Sequence, residues 1–148
     1  MSAGLQHKEN DRGAVIAFVG GKASSGADYY LAASKLFLAK NLLLNATLRA
    51  TRANQLGILG FGGDKHDGYS AQFEGSAAWL LSRTFVIGAE FRTRPSNLSI
   101  ARQGSAHDLF AAWIPNRNVS FTLAYVDLGN IVIRDDQRGL YFSVQAGL

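Results

Sequence analysis

The stretch Tyr69-Ser70-Ala71-Gln72-Phe73-Glu74-Gly75-Ser76-Ala77-Ala78-Trp79-Leu80-Leu81 decides the fold. Its odd positions read Tyr69, Ala71, Phe73, Gly75, Ala77, Trp79, Leu81, and its even positions read Ser70, Gln72, Glu74, Ser76, Ala78, Leu80. Apolar and polar residues alternating with period two mark a β-strand with one apolar wall and one largely polar wall. Working outward, Phe85, Ile87, Ala89 and Phe91 alternate with Val86, Gly88, Glu90 and Arg92, and Leu42, Leu44, Ala46 and Leu48 alternate with Leu43, Asn45, Thr47 and Arg49. Towards the end, Val119, Phe121, Leu123 and Tyr125 oppose Ser120, Thr122, Ala124 and Val126, while Leu140, Phe142, Val144, Ala146 and Leu148 oppose Tyr141, Ser143, Gln145 and Gly147. Residues 28–38 and 107–114 read as strands with apolar residues on both faces, and 14–19 is a short apolar run expected as an eighth strand. No stretch has helical periodicity, so the chain reads as all-β.

Composition fits that reading. The chain has 148 residues, one domain's worth, with no Cys, which excludes a disulfide scaffold and a thiolate metal site. Charged residues make up 18%, below the roughly 25% usual in soluble domains, while mean hydropathy is neutral. No apolar run approaches the ~20 residues of a transmembrane helix. Low charge with neutral hydropathy leaves a soluble β-domain or a membrane β-barrel, in which alternation cancels within any window. The net charge of +4 comes from singly scattered basic residues such as Lys22, Arg83 and Arg117, which form no stripe for nucleic acid. The first eleven residues lack the apolar core of a signal peptide and are expected to be a disordered N-terminal segment, with residues 12–148 forming the domain.

The joins separate the two remaining classes. Ala39-Lys40-Asn41, Ser82-Arg83-Thr84 and Pro115-Asn116-Arg117-Asn118 are short hairpin turns, and between them lie long joins at 20–27, 52–68, 93–106 and 128–138. Strict alternation of short and long connections is the asymmetry of an outer-membrane barrel. Trp79, Phe85 and Trp113 lie beside the short turns, and Tyr30, Tyr69, Phe91, Tyr125 and Tyr141 lie towards the long joins, as two aromatic girdles would. The expected fold is therefore an antiparallel up-and-down transmembrane β-barrel of about eight strands. Its outer partners are outer-membrane lipid and the barrel-insertion machinery, its location is the bacterial outer membrane, and it needs no nucleic acid, cofactor or metal.

In such a barrel Arg49, Glu74, Glu90 and Arg92 all face the lumen, as a packed plug or as a ring lining a pore. The apolar series keeps odd residues opposite odd ones across Ser82-Arg83-Thr84, which requires a three-residue loop with a bulge. Pairing Leu81 with Phe85 puts Glu74 opposite Arg92, whereas the neighbouring register puts Glu74 opposite Glu90, a disfavoured like-charge pair. A Glu74–Arg92 contact is expected.

No catalytic constellation stands out. Ser105 and His107, with Asp108 adjacent, could act on lipid esters at a barrel rim, but residues two apart on a strand need not meet and no oxyanion element is visible. His7 and His66 lack ligands at metal spacing. Gly57, Gly60, Gly62 and Gly63 precede no helix pattern, which argues against a phosphate cradle and for a flexible loop.

Several strings carry a family resemblance: Asp28-Tyr29-Tyr30-Leu31-Ala32-Ala33-Ser34-Lys35-Leu36, Leu48-Arg49-Ala50-Thr51-Arg52-Ala53-Asn54-Gln55 and Leu59-Gly60-Phe61-Gly62-Gly63, then Phe73-Glu74-Gly75-Ser76, Ala89-Glu90-Phe91-Arg92, Ala124-Tyr125-Val126-Asp127-Leu128-Gly129 and Asp136-Gln137-Arg138-Gly139. From about Ala14 onward the chain resembles a proteobacterial family of unknown function whose members are expected to be outer-membrane β-barrel proteins. The resemblance implies no activity. It implies longer exported relatives, so that this chain matches their C-terminal half and residues 12–20 would be an interior strand. It also implies an aromatic last residue, where this chain has Leu148. The function expected is a pore-like or structural envelope protein without catalysis. An outer-membrane lipid-modifying enzyme and a soluble lipocalin-like binder of an apolar ligand stay open as alternatives.

Overall fold

A computed structural model describes residues 1–132 and 137–147. The expected all-β chain is present as β1 (Ser2–Glu9), β2 (Ser25–Phe37), β3 (Leu42–Thr51), β4 (Ser70–Leu80), β5 (Phe85–Arg92), β6 (Arg102–Gln103), β7 (Ala106–Asn116), β8 (Val119–Asp127), β9 (Ile131–Val132) and β10 (Arg138–Ala146). Helical turns are confined to α1 (Gly13–Phe18) and two 3-10 turns, Leu38–Lys40 and Asn54–Gly57. Eight strands form one antiparallel sheet in the order β1-β2-β3-β4-β5-β7-β8-β10, and β6 and β9 form a separate two-stranded ribbon. The large sheet follows chain order, as an up-and-down meander does. It is open: β1 and β10 are its two edges and do not pair, so the expected closed barrel is here an unclosed sheet. The terminal Leu148 and residues 133–136 lie outside the described residues.

Register carries the period-two pattern from strand to strand. Leu48 pairs with Phe73 and Leu44 with Ala77, Trp79 with Ile87, Phe85 with Trp113, and Leu109 with Tyr125, so the apolar series of successive strands lie on one wall. On the other wall Thr47 pairs with Glu74, Glu74 with Arg92, and Glu90 with Asp108. The pair Leu80 with Val86 leaves Leu81 opposite Phe85 and three residues at the hairpin tip, as the alternation required. Pro115, which has no N–H to give, sits where β7 and β8 slip register between Trp113 and Asn116.

Two expectations about the N-terminus are corrected. Residues 1–11 are not a loose segment, since Ser2 to Glu9 pair residue by residue with β2, from Ser2 opposite Ala32 to Glu9 opposite Ser25. An edge strand needs only one paired side and no continuous apolar wall, and Lys8 pins the register by donating to Asp28 at 2.7 Å. Residues 14–19 are not a strand but lie mostly in α1, whose Ile16 is buried against Gly21 and Gly60. A short apolar run does not by its period tell a strand from a helix. The eighth strand of the sheet is thus β1.

The well-packed interior lies in the long joins. Phe61, Leu98 and Ala101 are fully buried, with Asn54, Asn97 and Ala53 beside them. The glycine-rich segment expected as a flexible loop is a packed turn: Phe61 bonds Ala23 through both its N–H and its carbonyl, and Gly60 has φ +73, where an added Cβ would meet the Ala23 carbonyl at 2.6 Å. By contrast the apolar wall of the sheet is bare. Leu48, Leu109, Leu123 and Phe142 stand 58%, 63%, 52% and 65% exposed. Monomeric soluble proteins rarely expose contiguous apolar patches beyond a few hundred Å².

Candidate functional site: the charged wall

Strand parity places Asp28, Arg49, Glu74, Glu90, Arg92 and Asp108 on the wall opposite the apolar series. The first of these is almost completely buried beneath the long joins. Asp28 accepts from the Lys8 Nζ at 2.7 Å and from the Thr51 hydroxyl, and Arg49 approaches it at 3.5 Å. The Arg49 guanidinium also pairs with Glu74 at 3.0 Å, and Glu74 reaches Arg92 at 3.4 Å. A continuous ion-pair chain of alternating sign therefore runs from β1 across β2, β3 and β4 to β5. On a low-dielectric sheet such a chain is worth more as a geometric lock than its exposed pairs would be singly. Glu90 and Asp108 stand directly opposite one another next along the wall. Between them and Glu74 and Arg92 opens a recess of about 380 Å³.

All four sequence-selected charges, Arg49, Glu74, Glu90 and Arg92, are thus on one wall, and the expected Glu74–Arg92 contact is formed. Three further members were missed. Lys8 fell in a segment read as disordered, and Asp28 in a strand whose two faces both looked apolar. Arg94 belongs to the join after β5; its Nη1 donates to the Leu128 carbonyl at 3.1 Å, and burial, then the Arg92 guanidinium, lower its pKa. Asp28 had a readable signal, since it shares parity with Tyr30 and so with Arg49 across the pair. Lys8 had none without the partner strand.

The aromatic residues divide. Tyr69, Trp79, Phe85, Phe91, Trp113 and Tyr125 lie on the apolar wall, with Phe85 beside Trp113 and Trp113 stacked on Phe121 at 5.3 Å near the short turns. Tyr29 meets Tyr69 at 5.8 Å near the long joins. Tyr30 and Tyr141 do not belong to such a row: Tyr30 pairs with Arg49 and Gly4, Tyr141 with Ala124, so both are on the charged wall. Their neighbours in sequence, Tyr29 and Leu140, take positions on the apolar wall because side-chain direction flips at every residue.

At the long-join end, His107 approaches Asp127 at 3.9 Å, and Asp127 also accepts from Arg138 at 2.7 Å. Among the described residues no hydrogen bond joins Ser105 to His107. Among the described residues no three His, Asp or Glu side chains gather in metal-holding geometry.

The long joins lie over one end of the charged wall and are tied to one another by polar contacts. Asn54 donates to the Gly62 carbonyl at 2.7 Å, Asn97 donates to Asn54 Oδ1 at 3.1 Å, and Gln103 Oε1 accepts from the Gln55 N–H at 3.2 Å. Asp64 accepts from the Ser99 N–H at 3.0 Å and from its hydroxyl, and these bonds hold the Asp64 carboxyl below its ordinary range.

Fold and site together define an antiparallel β-meander with one apolar wall, one ion-paired wall and a cap of packed loops over the latter. Within that class the chain belongs to the family described as Protein of unknown function (DUF3034), whose model matches residues 1–145. The match begins at residue 1, so it takes in β1 and not only the portion after residue 14. No curated protein and no solved structure matches the chain.

Proposed function

We propose that the sheet is the wall of an outer-membrane β-barrel, with its apolar face towards lipid and its ion-paired face towards the lumen, serving as a pore-like or structural envelope protein without catalysis. One observation carries this reading: the loops lie on the charged wall, with Phe61 against Gly26 and with Leu56 and Gln103 over Asp28 and Arg49, and they leave the apolar wall bare. A water-soluble sheet does the reverse, because covering the apolar face is what stabilises it. A lipocalin-like binder would enclose the apolar wall, so the sidedness of the cap speaks against that alternative. The strands of 8 to 13 residues that make up the sheet include the ~9 to 11 that cross a bilayer when tilted. The aromatic rows near both strand ends fit two interfaces. Closure comes from pairing the two free edges, either with each other or through further strands, after delivery by the barrel-insertion machinery.

The test is reconstitution of the purified full chain into lipid vesicles and planar bilayers. Co-flotation with vesicles and protection of the strands from protease support the membrane reading, and chain left in the aqueous fraction overturns it. Stepwise conductance in the bilayer then identifies a pore, and silent insertion identifies a structural protein.

A further inference from the structure

Between the loop cap and the charged wall lies a cavity of about 20 Å³, lined among others by Asp28, Arg49, Glu74, Arg92, Arg94 and Gln103. That volume suits a small occupant the size of a water or a halide. Its lining is rich in donors. Three guanidinium groups face two carboxylates, and Lys8 adds a fourth cation on Asp28. The carboxylate oxygens are already engaged: those of Asp28 by Lys8 and Thr51, those of Glu74 by Arg49 and Arg92. Arg94 has no carboxylate partner among the described residues, and its Nε is buried without an acceptor. Gln103 is nine-tenths buried, its Oε1 is used by the Gln55 N–H, and its Nε2 likewise has no acceptor. Buried donors of this kind are rare because each forfeits its hydration without recompense. With three guanidinium groups against two carboxylates in the lining, the cavity carries an excess of positive charge that favours an anion over a neutral water.

We propose that this cavity is a binding site for a single monatomic anion, a halide such as chloride, held by Arg94 and Gln103 and tying the loop cap to the ion-paired wall. The site is formed between the cap and strands β2 to β5, so it stands independently of whether the sheet closes in a membrane.

Bromide is the probe. Crystals of the full chain soaked in sodium bromide should show an anomalous peak in the cavity within hydrogen-bond distance of the Arg94 and Gln103 nitrogens. In solution, the melting temperature should rise and level off with sodium chloride, relative to sodium gluconate at matched ionic strength, as binding to the folded state alone requires. Gln103→Glu keeps the oxygen that accepts from Gln55 but sets a negative charge in the cavity, and it should abolish both the peak and the chloride dependence. Arg94→Lys, which keeps a cation there, should retain the peak. A wild-type crystal with no anomalous signal in the cavity overturns the proposal, whatever the melting temperatures do. A peak that persists unchanged in Gln103→Glu overturns the assignment to these residues.

Discussion

Glu74 on β4 stands directly opposite Arg92 on β5, and their side chains form an ion pair at 3.4 Å. The same carboxylate also holds Arg49 at 3.0 Å from the strand on its other side. Glu74 is therefore the hinge of the charged wall, joining three strands through one side chain. That double role separates the consequences of removing either partner.

Glu74→Gln takes the carboxylate from Arg92 and leaves Arg49 only Asp28 at 3.5 Å, and it should cost about 1–3 kcal/mol, the range for stranding partly buried polar groups. Arg92→Gln removes the more exposed partner, 41% accessible against 18% for Glu74, and should cost only about 0.2–1 kcal/mol. Urea midpoints of the two variants check the order; equal losses would mean that Arg49 does not depend on Glu74.

Gly88 faces Phe110 across the β5–β7 pair, and an added Cβ would meet the Phe110 ring at 2.4 Å and the Ala77 carbonyl at 2.6 Å. Gly88→Ala should cost about 1–3 kcal/mol through overpacking, and Phe110→Ala should not restore it fully because the Ala77 contact is backbone. Gly4→Ala should cost less. There the clash is with the Tyr30 phenol end, which can swing away from an edge strand. Thermal denaturation of the three variants distinguishes these cases.

Asp64 ties the 52–68 join to Ser99, and its carboxyl titrates below the ordinary value of 3.8. A carboxyl depressed in the folded state contributes stability that is present above its unfolded pKa and is lost as pH falls through the folded one. Wild type should therefore lose stability relative to Asp64→Asn as pH drops from about 5 to below 3.8. The difference in urea midpoint between the two proteins, followed against pH, checks the sign; a constant difference would refute the linkage.

Ala89 lies on the apolar wall between Ala77 and Leu109, and Ser76 lies on the charged wall opposite Glu90. If the apolar wall meets lipid, Ala89→Arg should lower folding free energy in vesicles by about 2–4 kcal/mol, whereas Ser76→Arg should be close to neutral because Glu90 faces it. Refolding yields and urea midpoints in lipid vesicles test the pair. A reversed order would place lipid on the other wall.

Both walls of the central and C-terminal strands were legible from residue order alone. Side-chain direction alternates strictly along a strand, so Phe73 and Glu74 had to part company wherever the strand lay. The β4–β5 register was legible too, because only one of two neighbouring alignments avoids setting Glu74 against Glu90. What the order of residues did not contain was any contact owed to a distant segment. Ser2 to Glu9 become a strand because the edge of β2 offers them backbone partners and Asp28 offers Lys8 a charge, and neither fact is local. Residues 14–19 become mostly helical because Ile16 finds Gly21 and Gly60 to pack against. Likewise the donor-rich cavity exists only because Arg94 and Gln103, from one join, are brought down on Arg49 and Glu74 from two strands. Periodicity is a property of neighbours in sequence and can be read there; edge pairing, loop packing and buried charge balance are properties of neighbours in space and belong to the fold.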